Sequence, residues 1–103
     1  MNQRDLQKMM QQAQQMQKQM AKIQDELASE IVEGTAGSYI KVTMNGHREL
    51  KSLTIAPEVV DPEDIETLQE LLMTAFNDAS QKASELSEQR MGALTGGMKL
   101  PGF

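Results

Sequence analysis

The sequence predicts an α+β domain: a long N-terminal helix, a three-stranded antiparallel meander and a long C-terminal helix. Three observations carry this reading. Apolar residues recur at heptad spacing over residues 6–27, at period two around residues 39–44, and again at helical spacing from Ile65 to Leu86. Turn signals separate the three regions. At 103 residues the chain is one domain, read as residues 1–91 with a loose tail over 92–103.

The first helix is read over about residues 3–28. Leu6, Met9, Ala13, Met16, Met20, Ile23 and Leu27 step by three and four without a break, and neither Gly nor Pro interrupts them. About 25 residues at ~1.5 Å each make a rod near 38 Å. A compact domain of about 100 residues has a radius of gyration of only ~13 Å. Part of the rod must therefore project, and its seam needs cover from the core or from a second copy. With Leu6 at heptad position a, Arg4 and Lys18 fall at f and Lys8 and Lys22 at c. All four lie away from the seam, as a solvated face or as a cationic stripe.

Tyr39 to Met44 alternates at period two and is rich in β-formers, and Leu50 to Ile55 returns after Asn45-Gly46. That pair favours a hairpin because both residues tolerate positive φ. A two-residue turn would set Ile40 and Val42 opposite Lys51 and Glu49, so a bulge or a longer loop is expected. Pro57 ends the last strand. Asp61-Pro62 then reads as N-cap and first residue of the second helix, with acids in its first turn. This helix runs to about Met91. The tail from Gly92 to Phe103 carries Gly96-Gly97 and Pro101-Gly102 and is expected to be disordered when free.

Composition excludes several classes of function. There is no cysteine, hence no disulfide, thiolate zinc site or cysteine nucleophile. His47 is the only histidine and reads as an exposed turn residue. No phosphate-cradling glycine loop or metal-ligand spacing is present. The chain reads as a non-enzyme with no cofactor, no metal and no small-molecule substrate. Without a signal-like or membrane-spanning apolar run, a cytoplasmic protein is expected.

The net charge is −5, which taken alone argues against nucleic acid. Its distribution matters more. Residues 1–24 hold Arg4, Lys8, Lys18 and Lys22 against Asp5 alone, whereas residues 61–89 hold eight acids and one base, Lys82. Arg90 and Lys99 follow with no acid. Two readings result. One is a homodimer gripping DNA phosphates through Arg4, Lys8, Lys18 and Lys22, with Lys82 and Arg90 behind them. The other is a coiled-coil-type adaptor or assembly factor that pairs with another protein and does not bind DNA.

Several segments, taken in order, resemble the YbaB/EbfC family of bacterial nucleoid-associated proteins. They are Met10-Gln11-Gln12-Ala13-Gln14-Gln15-Met16-Gln17, Ile40-Lys41-Val42-Thr43-Met44-Asn45-Gly46, Leu53-Thr54-Ile55-Ala56-Pro57, Thr74-Ala75-Phe76-Asn77-Asp78-Ala79, and the tail from Met91 to Phe103. The resemblance implies a tweezer-like homodimer with sheets at the centre and helices as arms. It also implies a nucleoid location, DNA binding of low or variable sequence preference, and no catalytic site.

Overall fold

Two long helices flank a small sheet in the computed structural model, which describes residues 2–94. Helix α1 spans Gln3–Ser29, strands β1, β2 and β3 span Ile31–Ala36, Ile40–Asn45 and Leu50–Ile55, and helix α2 spans Ile65–Leu94. A single 3-10 turn, Pro57–Val59, links β3 to α2. The sheet is an antiparallel meander in the order β1-β2-β3. The α+β reading and its order of elements hold.

Helix α2 lies across β1 and β2. Val42 is paired with Gly34 on one side and with Leu53 on the other. Ile40, Val42 and Met44 point from the central strand into the core, with Ala36 beside them. From α2 come Ala75, Ala79 and Ala83, all fully buried and spaced one turn apart. Small residues are needed there because the helix backbone almost touches the sheet. A Cβ built on Gly34 would sit 2.3 Å from the Ala75 carbonyl oxygen and 2.4 Å from the Ala79 nitrogen. Val32, Ile55, Leu68, Leu72 and Phe76 close the rim.

The outer edge of β1 is covered. Asp78 Oδ2 accepts from the Thr35 N–H at 3.0 Å, and Lys82 Nζ donates to the Glu33 carbonyl at 2.9 Å. These are the strand groups that point away from β2, the ones an incoming strand would use. Among the described residues strand β3 has no such cover. Leu50 and Leu53 stay exposed on it, as do Ile65 and Met73 on the first half of α2.

The shape is elongated, with extents of 74 × 27 × 16 Å and a radius of gyration of 20.3 Å. That is well above the ~13 Å of a compact chain this long. Every residue from Asn2 to Gln15 is exposed. Leu6, Met9, Ala13 and Met20 therefore take no part in this chain's own core, Met16 is half-buried, and only Leu27 of the seam is fully buried. Ile23 lines a recess with Arg90, Ala93 and Leu94 of α2.

Three local expectations need correction. The N-cap of α2 is Asp64, not Asp61: its carboxylate accepts from the Thr67 N–H at 3.3 Å and the Thr67 hydroxyl at 2.7 Å. Asp61 instead holds a separate turn by accepting from the Glu63 N–H at 2.9 Å. Helix α2 continues to Leu94, through Gly92, since one interior glycine costs only about 1 kcal/mol, and Ala93 and Leu94 line a recess beside α1. The rest of the expected tail, 95–103, lies outside the described residues. Finally, the hairpin does not place Asn45 and Gly46 at positive φ. Among the described residues only Gly37 and Arg48 have it. The loop is longer, and Lys51 is the extra residue of a bulge between the pairs Thr43–Ser52 and Met44–Leu50. A bulge or longer loop is what the poor two-residue register had demanded.

Gly34→Ala should destabilise the fold by about 1–3 kcal/mol, because the added methyl meets helix backbone that cannot swing aside. Urea denaturation followed by circular dichroism checks this. An unchanged midpoint would mean that α2 does not lie as close to β1 as described.

Candidate nucleic-acid interface

The candidate interface begins where α1 joins the body. Gly46 donates its N–H to the Leu27 carbonyl at 2.8 Å, and a Cβ on Gly46 would fall 2.6 Å from Leu27 Cδ2. That close approach, rather than a positive φ, requires glycine here. Asn45 is 1% exposed and its amide is fully used. Nδ2 donates to the Ala28 carbonyl at 3.1 Å and to Glu49 Oε1 at 2.9 Å, while Oδ1 accepts from the His47 and Glu49 N–H groups. His47 is an exposed turn residue, as read, and its Nε2 also donates to the Gln24 carbonyl at 2.8 Å. The β2–β3 loop thus grips the last two turns of α1.

A second grip comes from Arg90, which pairs with Glu30 and with Glu26, the latter at 3.4 Å. Both grips act on residues 24–30, so the remainder of α1 stands out as an arm.

Arg4, Lys8, Lys18 and Lys22 lie along this arm and are all exposed. At ~1.5 Å per residue they span about 27 Å of helix, and at ~100° per residue they fall within an arc of roughly 80°. Among the described residues none of the four has an acidic group within 4.0 Å. Lys82 and Arg90 differ. Lys82 is paired with Asp78 at 3.2 Å and holds the edge of β1, and Arg90 joins the two helices. The structure therefore keeps the four N-terminal bases together and assigns structural contacts to the other two.

Two carboxylates near this framework titrate low. Asp78 is lowered by the Thr35 backbone hydrogen bond first and the Lys82 hydrogen bond second. Glu49 is lowered first by the hydrogen bond from Asn45 and then by the positive field of Lys51. Missing from the sequence reading were Asn45 as the organiser of the junction and Arg48, which stands in the same loop. The Asn45-Gly46 signal drew attention to the loop, yet the partners that define these roles come from α1 and are remote in sequence.

The profile of the YbaB/EbfC DNA-binding family matches residues 1–98. The chain belongs to this family. A nucleoid-associated protein of Roseiflexus castenholzii is 69% identical over 103 residues, covering 100% of both chains. One from Chloroflexus aurantiacus is 65% identical over 100 residues, covering 96% of this chain and 97% of the relative. A Deinococcus radiodurans nucleoid-associated protein is 48% identical over 99 residues, covering 96% and 99%. The crystal structure of an uncharacterized protein from Helicobacter pylori superposes with a TM-score of 0.76 at 25% identity, covering 93% of this chain and 99% of that one. YbaB/EbfC is a DNA-binding family rather than an enzyme family. No helix among the described residues is long and apolar enough to cross a membrane.

Asn45→Ala should cost about 2–3 kcal/mol, since it leaves the Ala28 carbonyl and two loop N–H groups without their partner. Thermal melting of the variant measures this, and a loss of under half a kcal/mol would contradict the network. Because Asp78 is lowered when folded, its stabilisation is present above its ordinary value of about 4 and fades as pH falls through the lower folded value. Asp78→Asn should therefore melt lower than wild type near neutrality and approach it as the pH falls through the lowered folded value. Parallel melting curves at all pH values would argue against the Thr35 contact.

Proposed function

We propose that this YbaB/EbfC member is a nucleoid-associated protein that binds duplex DNA as a homodimer, mainly through phosphates. The single observation that carries the reading is the line of four unpaired cations on an arm projecting from the body. Contacts of this type give affinity with little sequence preference and weaken steeply with salt.

The acidity of the chain does not oppose this. Glu63, Asp64, Glu66 and Glu70 lie at the start of α2, whereas α1 meets α2 near Arg90. Glu70 is about 30 Å along the helix from Arg90. Screening reduces charge effects over ~10 Å at 0.1 M salt, so these acids do little at the arm. Of the nearer acids, Glu26 and Glu30 pair with Arg90 and Asp78 with Lys82, whereas Asp5 and Asp25 on α1 and Glu85 and Glu88 on α2 form no ion pair among the described residues.

Exposed apolar area supports the homodimer. The β1 edge is occupied by Asp78 and Lys82, which leaves β3 and the first half of α2 for a second copy. Leu50, Leu53, Ile65 and Met73 lie there. Along the arm, Leu6, Met9, Ala13, Met16, Met20 and Ile23 present a further seam, only part of which meets α2. The adaptor reading also draws on that seam and is separated from DNA binding by experiment.

Light scattering of the purified chain should give twice the monomer mass. Replacing Arg4, Lys8, Lys18 and Lys22 with Gln should lower duplex affinity by tenfold or more and flatten the salt dependence by about 0.9 per lost phosphate contact, with the dimer mass retained. Unchanged gel shifts would remove this surface from the reading. A protein partner that co-purifies after nuclease treatment, with no DNA retained at low salt, would favour the adaptor.

A further inference from the structure

We infer that Arg48, in the β2–β3 loop, is a further phosphate contact at the root of the arm, an inference that rests on the DNA reading above. Three features of the loop point to it.

The first is position. The loop is bonded to α1 at the Gln24, Leu27 and Ala28 carbonyls, so it is fixed beside the helix that carries Lys18 and Lys22. Side chains on the loop move with the arm rather than independently of it. Arg48 adds a cation at the base of the arm.

The second is an unspent charge. Glu49, its neighbour in sequence, accepts from Asn45 Nδ2 at 2.9 Å and is thereby engaged with Asn45. Among the described residues no acidic group lies within 4.0 Å of Arg48. The residue borders a cleft of about 300 Å³ that also includes Ser84, Ser87 and Glu88 of α2. The two serine hydroxyls are neutral donors that suit a phosphate oxygen. Glu88 is the one acid of the lining and forms no ion pair with Arg48.

The third is backbone strain. Arg48 has φ +62°, and its N–H donates to the Asn45 carbonyl at 3.0 Å. Left-handed backbone suits Gly or Asn far better than a long side chain. The fold would be served at least as well by Asn at this position. An arginine held there at a conformational cost, exposed and without an acid, is accounted for by a ligand. Its planar fork of donors matches phosphate oxygens.

That strain also supplies a clean test. Arg48→Asn removes the cation while easing the backbone, and Arg48→Lys keeps the cation in the same strained loop. Binding of a fluorescent duplex is measured by anisotropy across a salt series, with melting temperatures in parallel. Arg48→Asn should melt at or above wild type, bind roughly fivefold more weakly, and lose about one to two from the salt slope, one contact coming from each subunit of the dimer. Arg48→Lys should retain most of the affinity. If wild type binds with a steep salt slope and Arg48→Asn matches it, the inference is wrong while the DNA reading stands. If wild type fails to bind duplex even at low salt, the DNA reading fails and this inference with it.

Discussion

Helix α1 is held at one end only, and most of the molecule's character follows from that constraint. Its last two turns are locked to the β2–β3 loop through Leu27, Gly46 and Asn45, and to α2 through Arg90. Among the described residues nothing covers residues 2–15. A helix of 27 residues anchored over about two turns is a lever. Its stiffness then depends on the junction, so the charges it carries are positioned by a buried amide some distance away.

Asn45 suits this task because one side chain can accept from the loop and donate to the helix at once. A buried polar group left half-satisfied would cost more than it contributes. Here both ends of the amide are matched, and the Glu49 carboxylate is drawn into the same network. This is also why the loop carries two different departures from ordinary backbone use. Gly46 is glycine so that Leu27 can come close, and Arg48 takes the left-handed conformation that closes the loop.

Much of this fold was legible in the sequence because periodicity reports burial. The heptad seam marks α1, the period-two run marks β2, and the mismatch of Ile40 and Val42 against Lys51 and Glu49 calls for a bulge or a longer loop without fixing the register. Other features were not legible, for physical reasons. Asp61 and Asp64 are equally good caps in isolation, and Thr67 decides between them by offering both an N–H and a hydroxyl. The roles of Gly34 and Gly46 depend on Ala75, Ala79 and Leu27, which meet them only in the folded chain. The ion pairs of Lys82 and Arg90 were likewise not legible, because charge can be read from sequence and ion pairing cannot.

The case of Lys82 has a wider consequence. With Asp78 it occupies one outward N–H, that of Thr35, and one outward carbonyl, that of Glu33, which disfavours the pairing of another strand there. Among the described residues the sheet therefore has one partly covered edge and one open edge. Copies associating through the open side alone form a closed pair under a two-fold axis and do not propagate, because the other edge is disfavoured for pairing. A small sheet bearing exposed Leu50 and Leu53 would otherwise risk open-ended assembly. Two residues of α2 thus do for association what the junction does for the arm: each restricts an extended element to a single arrangement, and under the proposed function that pair of restrictions yields a dimer with two arms.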